Sequence, residues 1–281
     1  KSTQSIGLIV PTVALPFFGE LTEYVEDFLA EHGYRTFVCN SMGKADRERD
    51  YLDLLVSHRV DGIVSSAHND GLADYGSIHL PVVSVDRDLS PTVPNVRCDN
   101  EAGGRLAAEH LLKRGARRPA LLTSRTGIHN LREKGYRQVL QQAGIEPVVL
   151  TVDFNTPNGE RPGLIRERLD LVADDIDAVF ATDDLAAAQV MEWAAERDLR
   201  IPDDFKVIGF DGTITMQHAL PALTTIQQPI ANLARAAVDL LLNRIESATA
   251  VSSENKQQGE PWKDLQAPSP MPVRLLPGRT A

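Results

Sequence analysis

The sequence lacks several features that would place it in a function class at once. It has 2 cysteines in 281 residues, with no CxxC pair and no spacing typical of zinc ligands. No apolar run approaches the roughly 20 residues that cross a bilayer, and the first five residues lack the pattern of a signal peptide. We therefore expect no metal, no membrane segment and a cytoplasmic, reducing environment, in which Cys39 and Cys98 are small core residues.

Recognisable catalytic motifs are missing as well. The chain has no GxSxG elbow, no GxGxxG, no P-loop and no HExxH motif, and its 7 histidines are scattered without metal-like pairs. We expect His110 and His129 to be structural or exposed. Without a base and a nucleophile, the remaining polar residues suit binding rather than catalysis. The sequence thus predicts a binding protein that is not an enzyme and needs no cofactor.

The charge balance argues against direct contact with nucleic acid. There are 29 Lys and Arg against 39 Asp and Glu, a formal net charge of −10, and an acidic surface repels a phosphate backbone. Lys113, Arg114, Arg117 and Arg118 form the strongest basic patch, which we interpret as a solvated helix end and strand start. If the protein acts on DNA, we do not expect these residues to make the contact.

What the sequence does have is a repeated alternation of short apolar strands and amphipathic helices. Strands such as residues 6–10 alternate with helices that end at glycines such as Gly33, and the series begins again after Asn100. This order predicts an α/β fold of two doubly wound parallel-sheet lobes with a cleft between them. The predicted lobes are 1–98 with 229–250, and 99–228 with 262–281, while 251–261 are predicted as a loop within the polar stretch 247–270.

Residues that follow the strands form the candidate binding site, because ligands of open α/β sheets bind beyond the carboxyl ends of the strands. The candidates combine aromatic rings, carboxylates, arginine forks and smaller polar groups. These groups suit the apolar faces and the hydroxyl rim of a small polyhydroxylated ligand. The predicted ligand-binding residues are Leu15, Phe17, Phe18, Ser66, Asp86, Arg87, Arg132, Phe154, Thr182, Asp211 and Gln228.

Several candidates also have a purely structural interpretation. Phe17 and Phe18 could belong to the core at a helix start, and Asp86 and Asp211 could be turn or capping residues. Arg132, taken alone, could be a surface side chain. The binding interpretation is favoured because these residues share a position at strand ends in both halves of the chain.

Two further aspartates follow a predicted strand. Asp183 and Asp184 open a helix, where carboxylates interact favourably with the helix dipole. We interpret Asp184 as the helix cap and leave the role of Asp183 open.

A series of short segments spans residues 6–245. In chain order they read IGLIVP, LPFF, RVDGI, VDR, DNEAGG, AEHL, REKGY, FATDD, IPDDF, VIGFDG and LTTIQQP. Together they resemble the effector-binding core of the LacI/GalR family of transcription regulators, which shares its fold with periplasmic sugar-binding proteins. The resemblance implies a two-lobed, ligand-sensing domain.

The predicted site is similar to that of ribose-type binding proteins. Those proteins use two phenylalanines, an Asp-Arg dipeptide, an arginine before a helical glycine, a third aromatic ring, an Asn, an Asp and a Gln. The matching residues here are Phe17, Phe18, Asp86, Arg87, Arg132, Phe154, Asp211 and Gln228. Leu15 and Thr182 stand where asparagines are common, which removes amide hydrogen-bonding capacity. This departure disfavours free ribose and implies a ligand with an apolar or larger substituent, such as a nucleoside or another pentose.

The resemblance also implies partners. Family members are homodimers that bind operator DNA through an N-terminal helix-turn-helix headpiece and a hinge helix, and we expect this sequence to be a trimmed form of such a regulator without the headpiece. The dimer interface is expected at helices near Leu52 and around residues 68–75. A sugar or nucleoside effector would close the lobes and change DNA affinity by linkage, with the sign left open. The alternative is a periplasmic sugar-binding protein of an ABC transporter, which would use the same cleft.

Overall fold

The computed structural model of the chain describes residues 2–68, 74–254 and 265–281, and the chain divides into two compact units. The first unit comprises Lys1–Cys98 and Pro229–Met271, and the second comprises Asp99–Gln228 and Pro272–Ala281. Among the described residues, no helix combines the length and apolar character needed to span a membrane. The same residues contain no group of three or more His, Cys, Asp or Glu side chains that could hold a metal ion.

Strands and helices alternate along most of the chain. The strands are β1 (Ser5–Val10), β2 (Arg35–Asn40), β3 (Gly62–Ser65), β4 (Val82–Val85), β5 (Asn95–Val96), β6 (Pro119–Thr123), β7 (Val148–Thr151), β8 (Ala178–Ala181), β9 (Lys206–Asp211), β10 (Thr224–Gln227) and β11 (Arg274–Leu276). The helices are α1 (Pro16–Glu31), α2 (Ala45–Ser57), α3 (Asp74–Ser77), α4 (Asn100–Lys113), α5 (Leu131–Gln142), α6 (Arg161–Asp170), α7 (Asp184–Glu196), α8 (Ile214–Ala219) and α9 (Ile230–Glu254).

The first unit is built on a parallel sheet with the strand order β2-β1-β3-β4-β5. Its central strands are fully buried because helices cover both faces. Two glycines in the strands let those helices pack closely against the sheet. A Cβ atom on Gly7 would lie 2.4 Å from the side chain of Leu55 in α2, and one on Gly62 would lie 2.9 Å from the side chain of Leu241 in α9.

The second unit is built on a sheet with the order β11-β10-β9-β8-β6-β7. Its strand pairs are parallel except for β11, which runs antiparallel to β10. One apolar cluster contains Trp193 and Phe205, and another contains Tyr136, Phe180 and Phe210. The predicted fold class of two doubly wound parallel-sheet units is confirmed, and β11 is an antiparallel addition.

Helices α4 and α5 of the second unit lie in direct backbone contact. A Cβ atom on Gly104 would lie 2.0 Å from the carbonyl oxygen of Arg132, and one on Gly135 would lie 2.0 Å from the carbonyl oxygen of Glu101. Each helix therefore needs a glycine where the other passes. This reciprocal contact brings the first turns of the two helices together.

The end of α9 differs from the sequence prediction. The predicted loop at 251–261 is wrong for its first four residues, because α9 continues to Glu254; residues 255–261 lie outside the described part of the chain. Two polar side chains near this end bond to the helix backbone: the hydroxyl of Ser247 donates to the Asn243 carbonyl, and that of Thr249 donates to the Ile245 carbonyl.

The boundary of the last segment also differs from the prediction. Residues 262–281 were assigned to the second lobe, but the described residues 265–271 belong to the first unit. Two hydrogen bonds explain this placement. Arg244 Nη1 donates to the Leu265 carbonyl at 2.9 Å, and the Met271 amide donates to the Arg97 carbonyl at 3.0 Å.

The basic patch at residues 113–118 is solvated, as predicted. Lys113, Arg114, Arg117 and Arg118 are all exposed, at the end of α4 and before β6. The backbone amides of Arg117 and Arg118 donate to the carboxylate of Asp177 at 2.8 and 2.9 Å. These two backbone hydrogen bonds fix the turn before β6.

Candidate functional site

In the first unit, parallel pairing aligns the carboxyl ends of β1, β3 and β4. Ile9 pairs with Ser65, and Ser65 pairs with Ser84. The residues that directly follow these strands therefore emerge at one edge of the sheet. This first-unit edge carries the predicted residues Leu15, Phe17, Phe18, Ser66, Asp86 and Arg87.

The aromatic pair of the first-unit edge lies at the start of α1. Pro16 occupies the first helical position, which suits proline because that amide has no helical partner. Phe17 and Phe18 are 6% and 4% exposed and meet edge to face at 5.1 Å between ring centroids. Phe18 also meets the ring of His68 edge to face at 5.3 Å. Both rings are thus held by packing, and Leu15 precedes them, half-buried, as the extended N-cap residue.

Ser66 ties three strand ends together. It is fully buried, its amide donates to the Ile9 carbonyl at 2.8 Å, and its hydroxyl donates to the Val85 carbonyl at 3.1 Å. The hydroxyl proton of Ser66 is therefore committed to the protein. What Ser66 offers a ligand is limited to its oxygen lone pairs.

Asp86 has an unusual backbone conformation at the end of β4. Its φ angle is +70°, in the left-handed region that costs free energy for a residue other than glycine. Its amide donates to the Val96 carbonyl at 2.9 Å, which fixes the chain where it leaves the sheet. Asp86 and the following Arg87 are both half-buried. A strained backbone at this position is typical of functional turns.

In the second unit, Arg132 is the centre of a polar cluster. Its Nε donates to Asn100 Oδ1 at 2.7 Å, and its Nη1 donates to the Thr182 carbonyl at 2.7 Å. The same Nη1 lies 3.9 Å from Asp211 Oδ1, and the guanidinium carbon lies 3.7 Å from the ring centroid of Phe210. The backbone contact between α4 and α5 brings Asn100 and Arg132 within reach. The interpretation of Arg132 as a simple surface residue is wrong, since its side chain is only 17% exposed.

Asp211 ends β9 in another strained conformation, with a φ angle of +104°. Gln228 Nε2 donates to its Oδ1 at 2.8 Å, and the Gln228 amide donates to its carbonyl at 3.0 Å. Burial raises the pKa of Asp211 well above its usual value, and the charges of Asp184 and Asp183 raise it further, while Arg132 and the Gln228 hydrogen bond oppose the increase. Asp211 is thus a largely enclosed carboxyl group with a cation and an amide beside it.

The remaining predicted residues of this unit follow neighbouring strands. Thr182 follows β8 and is 9% exposed, and its amide donates to the Leu122 carbonyl at 3.0 Å. Phe154 is half-buried in the turn that follows β7. Since β10, β9, β8, β6 and β7 are adjacent in the sheet, Gln228, Asp211, Thr182 and Phe154 lie along one edge, the second-unit edge.

The prediction that Asp184 caps α7 is wrong. The cap is Asp183, whose extended backbone lets its Oδ1 accept a hydrogen bond from the Ala186 amide at 2.7 Å. Its other oxygen accepts from Arg161 Nη2 at 2.8 Å. Asp184 instead turns inward: it is 2% exposed and accepts hydrogen bonds from the Gly212 amide and the Thr225 hydroxyl.

Two residues at the second-unit edge were missed from the sequence. Asn100 is 8% exposed and accepts the Arg132 hydrogen bond, and Asp184 lies buried behind Asp211. The available signal was a polar side chain at the first position of a helix, where Asn and Asp are common for structural reasons alone. From the sequence alone, a structural role at the start of a helix cannot be distinguished from a role in a polar network.

The chemistry of the two edges is that of hydrogen-bond exchange. Carboxyl oxygens accept protons from hydroxyl groups, an arginine fork and amide groups donate, and aromatic rings cover apolar C–H surface. Each set of groups suits ligands that carry hydroxyl groups and apolar C–H surface. A polar group of the ligand left without a partner would cost roughly 1–3 kcal/mol, so the set also discriminates between ligands.

Comparisons with known proteins converge on one group. A family model described as a periplasmic binding protein-like domain matches residues 108–260. The chain is 38% identical over 253 residues to a sucrose operon repressor of Streptococcus mutans, covering 88% of this chain and 76% of that protein. It is 33% identical over 248 residues to a ribose operon repressor of Halalkalibacterium halodurans, covering 88% and 74%.

A solved structure shares the fold over almost its whole length. A periplasmic binding protein/LacI transcriptional regulator from Alkaliphilus metalliredigens, complexed with D-xylulofuranose, superimposes with a TM-score of 0.83 and 28% sequence identity. The match covers 99% of each chain.

Proposed function

Because the chain belongs to the LacI family of regulators with a periplasmic binding protein-like domain, we propose that it senses a small sugar on behalf of a transcriptional repressor. Its relatives are sugar-operon repressors, which favours a regulator over the transporter component considered from the sequence. The relatives are not enzymes, and the two strand-end edges carry groups suited to binding.

The observation that carries this proposal is the cluster around Arg132. Asn100, Thr182 and Asp211 surround one guanidinium group at 2.7–3.9 Å. Gln228 then anchors the carboxyl group of Asp211. These hydrogen bonds hold the donors and acceptors of the cluster in fixed orientations, which lowers the entropic cost of binding.

We propose that the strand-end residues predicted from the sequence contact the sugar. The first-unit edge would supply the rings of Phe17 and Phe18 with Asp86 and Arg87. The second-unit edge would supply Arg132, Phe154, Thr182, Asp211 and Gln228. Leu15 and Ser66 would complete the shell, with Leu15 facing a less polar part of the sugar.

The relatives narrow the class of sugar. Sucrose contains a fructofuranose ring, and the structure at a TM-score of 0.83 is complexed with D-xylulofuranose. Both molecules carry a five-membered ketose ring, so we propose a ketofuranose, free or within a disaccharide. Leu15 and Thr182 lack the amide groups that an asparagine would offer at these positions, which agrees with a ligand other than free ribose.

Titration calorimetry with sucrose, D-fructose, D-xylulose, D-ribose and adenosine tests this proposal. We expect a ketofuranose sugar to bind at least tenfold more tightly than ribose or adenosine. Tight binding of ribose with none of the ketoses would contradict the ligand class, and no binding by any sugar would contradict the sensing function. Gly163→Ala, a change at an exposed position of α6 with open space around it, is a matched control that should bind as the native chain does.

The sugar would act on DNA through linkage. An effector changes DNA affinity only as far as its own affinities for the two states of the regulator differ. We propose operator DNA as the second ligand of the full regulator, reached through residues other than the exposed patch at 113–118, since the chain carries a net charge of −10.

We further propose a homodimer formed through the first unit. Leu52, near which the interface was predicted, is 2% exposed and belongs to the core. On the same helix, however, Leu54 and Val56 are 47% and 45% exposed, and on the edge strand β2 Phe37 and Val38 are 47% and 45% exposed. The interface predicted around residues 68–75 falls largely on 69–73, which lie outside the described residues.

Sedimentation velocity tests the dimer. Leu54→Lys should shift the protein to a monomer, because a charge buried in an interface is costly. Leu171→Lys, at a residue 69% exposed in the second unit, should leave the dimer unchanged. A native chain that sediments as a monomer at tens of micromolar would refute this part of the proposal.

A further inference from the structure

Asp184 is a buried carboxyl group that stands behind the proposed sugar site. It is the first residue of α7, only 2% exposed, and it belongs to neither set of predicted contact residues. Its Oδ2 accepts a hydrogen bond from the Gly212 amide at 2.8 Å, and its Oδ1 accepts one from the Thr225 hydroxyl at 2.6 Å. Asp184 thus links the start of α7 to β10 and to the turn that follows β9.

That turn has two consecutive residues in the left-handed region. The φ angles are +104° at Asp211 and +59° at Gly212. The Gly212 carbonyl accepts hydrogen bonds from Gln217 Nε2 at 2.7 Å and from Gln227 Nε2 at 3.2 Å. The turn is therefore held at the Gly212 carbonyl by two glutamines and at the Gly212 amide by Asp184, and together these bonds offset the strain at Asp211.

The space around the Asp184 carboxyl is closely fitted. A Cβ atom on Gly209 would lie 2.3 Å from Asp184 Oδ1, so the carboxyl lies directly against bare backbone of β9. A shorter side chain would leave a cavity, whereas asparagine has the same shape. Asparagine can also accept from the Gly212 amide and donate to the Thr225 hydroxyl.

Resting on the proposed sugar site, we infer that Asp184 is a positioning residue: its carboxyl holds the turn that aims Asp211 at the sugar, and it couples sugar affinity to a proton. Asp184 does not touch the sugar itself. It acts through the Gly212 amide and through its charge.

Charged groups on several elements face this carboxyl. Asp183 precedes it as the N-cap of α7 and is paired with Arg161 of α6, while Asp211 of β9 lies next to Arg132 of α5. Burial raises the pKa of Asp184 to about 7, and the Asp183 charge adds to the increase. Hydrogen bonds from Thr225 and from Gly212 oppose it. The protonated form also fits, because a protonated carboxyl can donate to the Thr225 hydroxyl while its other oxygen still accepts from Gly212.

The expected direction follows from screening. A bound sugar displaces water from Asp211, so charge on the carboxyl groups of Asp211 and Asp184 is less solvated and their mutual repulsion is less screened. The pKa values of both groups, already raised by burial, therefore rise further. The protein then takes up a proton as the sugar binds. By linkage, affinity for the sugar falls as pH increases through the neutral range.

The first experiment needs no sugar. In NMR spectra recorded between pH 5.5 and 8.5, the Gly212 amide of the native chain should titrate with a midpoint near pH 7. Asp184→Asn should abolish this titration, and Asp239→Asn, an exposed charge on α9, should leave it unchanged. A Gly212 amide that does not titrate in the native chain, or that still titrates in Asp184→Asn, overturns the inference.

The second experiment uses whichever of sucrose, D-fructose, D-xylulose or D-ribose binds. The native chain should bind it about three- to tenfold more weakly at pH 8 than at pH 6. Asp184→Asn should bind within about threefold of the native affinity at pH 6 and show no pH dependence. A native affinity that is flat or rises with pH, or the same profile in both proteins, overturns the inference while leaving the sugar-sensing proposal intact.

A second variant covers the case in which Asp184→Asn does not fold. Thr225→Val keeps the shape of the residue and removes a hydrogen bond that lowers the pKa of Asp184. The midpoint of the Gly212 titration and of the affinity profile should then move to higher pH, and an unmoved midpoint contradicts the inference. If none of the sugars binds at any pH, the proposed function fails, but the NMR titration still decides the role of Asp184.

Discussion

The first-unit edge and the second-unit edge hold their side chains by different forces. At the first-unit edge, Phe17, Phe18 and Ser66 are buried and fixed by ring packing and by bonds to strand backbone. At the second-unit edge, Arg132 and Asp211 are fixed by charged and amide hydrogen bonds. Ring packing carries no titratable group, whereas a network of charged groups responds to pH and salt. The difference predicts that the packed rings of the first-unit edge respond less to pH than the charged network of the second-unit edge.

The two edges also share one backbone feature. Asp86 and Asp211 each end or directly follow a strand with a positive φ angle, +70° and +104°. A left-handed residue turns the chain sharply, so that the carboxyl group leaves the line of the strand. The two units therefore place an aspartate in the same way although its surroundings differ.

The largest expected effect is the loss of sugar binding in Arg132→Ala and in Asp86→Ala. Each should weaken binding by about 30-fold or more, since a charged group central to a binding site is typically worth about 2 kcal/mol or more. Thermal shift with the bound sugar measures this. Arg132→Ala should also lower the melting temperature without sugar, because it breaks the bonds to Asn100 and to Thr182. If both variants still gain stability from the sugar, the site assignment is wrong.

The next effect concerns the helix contact on which the second-unit edge depends. Gly104→Ala should lower the free energy of unfolding by about 2–3 kcal/mol, because its Cβ would meet the Arg132 carbonyl of α5. The control is Gly163→Ala, where nothing lies near the added Cβ and a gain of about 0.5–1 kcal/mol is expected. Urea denaturation compares them. Equal stability of the two variants would contradict the contact.

A smaller effect is the pH dependence of stability that Asp184, behind the second-unit edge, should cause. Burial raises the folded-state pKa of Asp184 from its ordinary value of 3.8 to about 7, so folding favours its protonated form. Stability from this group is fully present below the unfolded pKa and is lost as pH rises through about 7. Asp184→Asn escapes the loss, so its stability relative to the native chain should increase by about 2 kcal/mol between pH 5 and pH 8. Urea denaturation midpoints across that pH range measure the difference in stability, with Asp239→Asn as the control. A difference between Asp184→Asn and the native chain that stays constant with pH would contradict the prediction.

The smallest expected effect tests the left-handed backbone conformation that Asp86 shares with Asp211. Asp86→Gly should be more stable than Asp86→Ala by about 1 kcal/mol, because glycine adopts a φ of +70° without steric cost. Neither variant should bind the sugar. Chemical denaturation that finds alanine as stable as glycine at this position would show that the left-handed conformation carries no strain.

Much of the fold could be predicted because it depends on local pattern. Buried strands such as β1 are apolar on both faces, and the strand ends then define which residues share an edge. The end of α9 could not be predicted in the same way. Its serines and threonines are typical of loops, but the hydroxyls of Ser247 and Thr249 donate to carbonyls four residues earlier, so these residues are accommodated within the helix.

The polar network of the candidate site was only partly predictable, for two reasons. In Asp183 and Asp184, adjacent identical residues differ in role because one is extended and caps the helix while the other is its first helical residue. The contact of Asn100 with Arg132 depends on Gly104 and Gly135 meeting across two helices. From a sequence alone, a glycine does not indicate which distant segment of backbone will pack against it.

The order in which the chain visits its two units has a consequence during synthesis. It leaves the first unit after Cys98 and re-enters it at Pro229. The helix α9, which lies against Gly62 of β3 through Leu241, therefore emerges from the ribosome long after the sheet it covers. At about 5–20 residues per second, that interval is on the order of 10–40 seconds. Throughout it, the apolar part of the sheet that α9 covers stays exposed in the nascent chain, and chaperones bind such surfaces.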